Sequence, residues 1–95
     1  MKVQEVVQDN EDLVTPKNFR QIRYYNLDDV PLSRHTDQEL AARAFHVMDI
    51  YRTFRGPLRA LGKIEIRGIL RALEERKAYK QARLVLQTAS RRKML

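Results

Sequence analysis

Residues 36–57 read TDQELAARAFHVMDIYRTFRGP, and they carry the clearest helix signal in the chain. Thr36 and Glu39 have the spacing of a capping box, in which each side chain accepts a hydrogen bond from the other residue's backbone N–H. The Gly-Pro pair that closes the segment is typical of a helix stop, because glycine adopts the left-handed conformation and proline cannot continue a helix. The sequence therefore predicts a helix over residues 37–55 with a wide apolar face.

A second long helix is predicted over residues 63–88, and its apolar face changes side along its length. The first half places four residues on one face: Ile66, Ile69, Leu70 and Leu73. The second half places its apolar residues nearly opposite: Ala78, Ala82, Val85, Leu86 and Ala89. Either the helix breaks at residues 74–77, or one continuous helix packs its two halves against two different surfaces. The four charged residues there have good helix propensity and include no Gly or Pro, which favours the continuous helix.

A continuous helix has a consequence for function, because a chain this small has little sequence left to cover the second face. We therefore predict that residues 78–89 dock on a protein partner or on a second copy of the chain. The interface residues in this hypothesis are Ala78, Ala82, Val85 and Leu86.

The residues before the first long helix give weaker signals. Residues 1–14 mix short apolar pairs with acidic residues and predict a flexible acidic arm. Thr15-Pro16 fits a helix start, with Pro at the first helical position, which predicts a short helix over residues 16–25. The segment 21–27 also suits a strand, because it contains Ile and two Tyr, and both alternatives stay open.

These elements together predict an all-α fold. The expected architecture is an antiparallel two-helix hairpin with an N-terminal arm and a short third helix packed across it. With 95 residues, the chain has room for one small domain. We place that domain at residues 15–90 and a basic tail at 91–95.

The net charge of +7 is unevenly distributed. Residues 1–30 sum to −2, whereas residues 52–95 sum to +10. Arg outnumbers Lys thirteen to six, and the planar guanidinium favours bidentate contact with phosphate or carboxylate. Cations at intervals of three or four residues predict a charged helix face that could bind a protein or track the phosphates of RNA or DNA. The predicted electrostatic contact residues are Arg59, Lys63, Arg67, Arg71, Arg83, Arg91 and Arg92.

Several chemistries find no support in the sequence. The absence of Cys excludes disulfides, a thiolate nucleophile and zinc bound through sulfur, and is compatible with a reducing compartment. His35 and His46 lie outside metal-ligand spacing, and we expect both to face solvent. The sequence shows no phosphate-binding glycine loop, catalytic constellation or cofactor motif. No apolar run is long enough to span a bilayer, and the first 30 residues do not resemble a leader.

The sequence thus predicts a non-enzymatic helical interaction module, a small basic accessory subunit or adaptor of a larger protein assembly. The alternative is a nucleic-acid-binding protein, ribosomal or regulatory, that uses the Arg-rich helix face.

Overall fold

The computed structural model describes residues 13–22 and 30–95, and most of these residues are helical. Three α-helices follow one another along the chain: α1 (Asp37–Tyr51), α2 (Pro57–Glu75) and α3 (Tyr79–Arg91). Two short 3₁₀ turns precede them, at Phe19–Gln21 and Leu32–Arg34. The described ranges contain no strand, which confirms the all-α class.

The start of α1 is the capping box that the sequence predicts. The Thr36 hydroxyl accepts a hydrogen bond from the Glu39 N–H at 3.1 Å, and the Glu39 carboxylate accepts one from the Thr36 N–H at 2.8 Å. The helix ends at Tyr51, four residues before the predicted end. Gly56, with a φ of 68°, caps the start of α2 instead, and Pro57 is the first residue of that helix.

The prediction of one continuous helix over 63–88 is wrong, because the chain turns between α2 and α3. Lys77 adopts a left-handed conformation with a φ of 62°. Its N–H donates to the Glu74 carbonyl, and the Ala78 N–H donates to the Leu73 carbonyl at 2.9 Å, which is the Schellman pattern of a helix end. The turn allows the apolar faces of both helices to join one core, and this packing outweighs the helix propensity of the charged run.

Much of the predicted docking face is buried in this core. Ala82 and Val85 are 5% and 0% exposed, and they pack in one cluster with residues of α1 and α2. They therefore offer no free surface to a partner, which corrects the interface prediction for both. Ala78 is half-buried against the same cluster, and Leu86 is the exposed member of the predicted set.

The N-terminal segment packs on the helices without forming the predicted helix over 16–25. Residues 16–18 form a turn that leads into the short Phe19–Gln21 3₁₀ segment, and residues 23–29 lie outside the described ranges. Phe19 is buried, with its ring 5.8 Å from that of Phe45 in α1. Val14, the last residue of the predicted arm, is also buried, whereas residues 1–12 of that arm lie outside the described residues.

The carboxyl end is part of the domain rather than a separate basic tail. Lys93 has a φ of 57°, and the Met94 N–H donates to the Ala89 carbonyl at 2.7 Å, so α3 also ends in a Schellman pattern. This turn brings the Met94 side chain fully into the core.

Candidate interaction surface

The four predicted contact residues of α2 differ in accessibility. Arg67 and Arg71 are exposed, whereas Lys63 and Arg59 are half-buried. The Arg59 guanidinium donates to the backbone carbonyls of Arg52 at 2.8 Å and Lys93 at 2.7 Å. Arg59 therefore ties the α1–α2 loop to the carboxyl end, and Arg67 and Arg71 are the more available cations.

The three predicted contact residues in and directly after α3 are not equivalent either. Arg92 pairs with Asp49 of α1 at 3.0 Å, and the other oxygen of Asp49 pairs with Arg20 at 2.6 Å. Asp49 thus joins both ends of the described chain to α1. Arg83 and Arg91 are exposed, and no ion pair links either of them to a described residue.

Large apolar side chains are exposed on a different part of the molecule from the one predicted. Five side chains between residues 50 and 64 are 39–62% exposed. We call this set the apolar seam: Ile50, Phe54, Leu58, Leu61 and Ile64. The sequence had one signal for it, since Ile50 falls outside the apolar face of its helix.

Two contacts between α1 and α2 locate the apolar seam. The Arg43 Nε lies 2.6 Å from the Glu65 carboxylate, so these side chains meet on one side of the helix pair. Ile50 is seven residues after Arg43, and Leu58 and Leu61 are seven and four residues before Glu65. Such intervals keep side chains on one helix face, which puts these three apolar residues on the side that carries the ion pair.

The other two residues extend the apolar seam. The Phe54 ring lies 5.7 Å from the Tyr51 ring, and Tyr51 packs so closely on Gly62 that an added Cβ there would lie 2.9 Å from the tyrosine. Phe54 is therefore held near the first turns of α2. Ile64 follows Leu61 by three residues and continues the stripe along the helix.

The surroundings of the apolar seam are cationic. Residues 50–71 contain six Lys and Arg against one acidic residue, Glu65, which already pairs with Arg43. No ion pair links the following five cations to any residue within the described ranges: Arg52, Arg55, Lys63, Arg67 and Arg71. The apolar seam therefore lies among positive charges that no described acidic residue pairs with.

Arg76 and His35 contact the backbone of residues 31–35. Arg76 donates to the backbone carbonyls of Leu32 and Ser33, each at 2.9 Å, and also to the carbonyl of His35. His35 is buried, contrary to the solvent-facing position predicted for it, with its Nδ1 3.1 Å from the Pro31 carbonyl. His46 is exposed, as predicted.

The geometry of residues 13–22 and 30–95 shows no candidate metal site. Within them, no three His, Asp or Glu side chains converge as metal ligands would. A cleft of about 830 Å³ lies where α1 and α3 begin, and the described part of its wall includes Thr36, Lys77 and Tyr79. None of the helices in these ranges combines the length and the apolar character needed to cross a bilayer.

Comparisons of the chain with protein-family models, with curated proteins and with solved structures found no match.

Proposed function

We propose that the protein is a non-enzymatic helical interaction module, a small basic adaptor or accessory subunit that binds a protein partner through the apolar seam. The observation that carries the proposal is the exposed stripe of Leu58, Leu61 and Ile64, which are 47%, 54% and 62% exposed. Surface apolar residues are common singly, but a contiguous set is typical of a binding site. The binding face thus differs from the face at residues 78–89.

In this proposal α1 and α2 form the antiparallel hairpin that presents the apolar seam. Two contacts support that arrangement. Tyr51 at the end of α1 packs on Gly62 near the start of α2, whereas Arg43, earlier in α1, pairs with Glu65, later in α2. Antiparallel neighbours pair early residues with late ones in this way.

The chemistry of the stripe favours a protein over a nucleic acid. Aliphatic side chains gain free energy by leaving water, about 25 cal/mol per Å² of apolar surface. About half of each side chain's surface is still in contact with water, so its burial in an interface contributes about 1 kcal/mol of favourable free energy. A phosphate backbone offers no apolar surface with which to recover that energy.

Site-specific photo-cross-linking tests the proposal. A benzoylphenylalanine placed at Leu61 in the full chain should form a discrete cross-link to a partner protein in cells that express the labelled chain. The same probe at Gln87, an exposed residue of α3, is the matched control. We expect at least about fivefold more protein cross-link at Leu61, because an interface buries its core residues. Equal yields at both positions would reject the apolar seam as the binding surface.

A second candidate function, nucleic-acid binding, is favoured by one observation. Arg67 and Arg71 are exposed on α2 and pair with no acidic residue of the described chain. Two such cations on one helix face can contact successive phosphates.

Charge reversal on two different helices separates this candidate from a general effect of net charge. The double variant Arg67→Glu/Arg71→Glu should lose binding to a short RNA or DNA duplex, measured by fluorescence anisotropy at low salt. The double variant Arg83→Glu/Arg91→Glu makes the same change in net charge on α3 and should retain it. Unchanged affinity in the first variant, or equal losses in both, would reject the role of this face.

A further inference from the structure

We propose that the partner's contribution to the apolar seam is an amphipathic helix whose flanking residues are acidic. This inference rests on the proposed function, since it names the chemistry of the partner that the same surface binds.

The shape of the apolar seam favours a helix. Leu58, Leu61 and Ile64 lie on consecutive turns of α2, so the stripe extends about 9 Å along the helix axis. Apolar side chains at positions i, i+3 or i+4 and i+7 of a second helix span about the same length, and they would fit between the side chains of α1 and α2. The described chain has no strand, so these ranges offer no sheet edge to which an extended peptide could add.

The charge around the apolar seam selects an acidic partner over a second copy of the chain. Arg52, Arg55 and Arg67 are exposed there, and no described acidic residue pairs with them. In a symmetric dimer both copies would present the same surface, so each would bring these cations towards those of the other. A helix with Glu or Asp beside its apolar face would compensate the charge instead.

A selection experiment tests this proposal without assuming a partner sequence. A phage-displayed library of randomised helical peptides of about 16 residues is selected on the full-length protein. The Leu61→Asp variant, in which an exposed side chain is replaced, serves for counterselection. Its circular dichroism should match that of the wild type. We expect the enriched peptides to be net acidic, with apolar residues at i, i+3 or i+4 and i+7.

The affinity of the most enriched peptide then checks the surface. Leu61→Asp should weaken binding at least about tenfold, because the charge falls in the centre of the contact. Leu86→Asp introduces the same charge at an exposed apolar residue of α3 and should change the affinity less than about twofold. Binding should also weaken as salt rises, because the flanking charges are at the surface.

Several results would overturn the inference. These are no enrichment over the Leu61→Asp variant, enrichment of neutral or basic peptides, and equal losses in both Asp variants. A dimer detected by light scattering and abolished by Leu61→Asp would identify a second copy as the occupant.

Residues 1–12 are themselves acidic, and they could compete for the same surface. A tenfold gain in peptide affinity in the full-length Val6→Asp variant would identify that segment as the occupant and overturn the inference. If Leu61 cross-links to a protein but the selection yields no acidic helix, the proposed function stands and this inference fails.

Discussion

Gln81 joins the N-terminal segment to α3 through two hydrogen bonds to a single residue. Its Oε1 accepts a hydrogen bond from the Val14 N–H at 2.8 Å, and its Nε2 donates to the Val14 carbonyl at 2.8 Å. Gln81 and Val14 are 5% and 1% exposed, so water is poorly placed to replace the side-chain amide. The substitution Gln81→Met keeps a side chain of similar length and removes both bonds.

The expected loss of stability follows from these groups. A buried backbone group left without a partner costs about 1–3 kcal/mol, so two such groups give about 2–6 kcal/mol. Removal of the buried Gln81 amide offsets about 1–2 kcal/mol of this loss, because folding no longer has to desolvate that group. We therefore expect Gln81→Met to lower the free energy of unfolding by about 1–4 kcal/mol. In a domain of this size the midpoint temperature falls by about 5–30 °C.

Urea and thermal unfolding followed by circular dichroism measure this loss. Gln87→Met is the matched control, because Gln87 is an exposed residue of the same helix. Its effect should stay within about 0.5 kcal/mol of zero. If the two variants unfold at the same urea concentration, the Val14 backbone does not depend on Gln81, and the docking of the N-terminal segment on α3 is refuted.

Four further substitutions test the packing of α2 and the turn after it. Gly62→Ala should destabilise the fold by about 1–3 kcal/mol, because the added Cβ would lie 2.9 Å from Tyr51. Gly68→Ala should stabilise the fold by about 0.5–1 kcal/mol, because the atom nearest to its added Cβ would be 3.8 Å away. Equal effects of the two changes in urea unfolding would contradict the close packing at residue 62. Lys77→Gly should raise the unfolding free energy by about 0.5–1 kcal/mol, since glycine tolerates its φ of 62°, and a loss would count against the left-handed turn. Arg76→Gln should lower the free energy of unfolding by about 1–3 kcal/mol, because the carbonyls that the guanidinium binds lose a donor. An unchanged urea midpoint would show that these hydrogen bonds do not stabilise the fold.

The start of α1 could be predicted from the sequence because its determinants are local. Thr36 and Glu39 are three residues apart, and each satisfies a backbone N–H of the other. Nothing distant is needed to specify that geometry. The all-α class follows from the same kind of information, since the apolar residues of the long segments recur at helical spacing.

The turn between α2 and α3 could not be predicted in this way. Lys77 occupies a left-handed position that is usually filled by Gly or Asn, so the sequence lacks the usual stop signal. The conformation costs a non-glycine residue about 1–2 kcal/mol. Burial of Val85 and Met94 in the shared core is worth more than that, about 1.5–3 kcal/mol for each side chain, and these contacts depend on residues far apart in the sequence.

The sequence does not predict the apolar seam when the helix is taken to begin at residue 63. Such a helix excludes Leu58 and Leu61, so they are not aligned with Ile64. Gly62 is instead inside the helix, where its lack of a side chain admits Tyr51. A helix drawn from Pro57 would have revealed the stripe at intervals of three residues.

The turn at Lys77 also determines which apolar face is left for a partner. When α3 folds back, the face that contains Val85 is buried in the chain's own core. The stripe at Leu58, Leu61 and Ile64 stays exposed, and no described residue covers it. A small domain is stable by only about 5–15 kcal/mol, and a partner that binds only the folded state, at a concentration about a hundredfold above the dissociation constant, would add about 2.7 kcal/mol. We therefore expect the partner to increase the resistance of the domain to unfolding, and the gain to be lost in the Leu61→Asp variant.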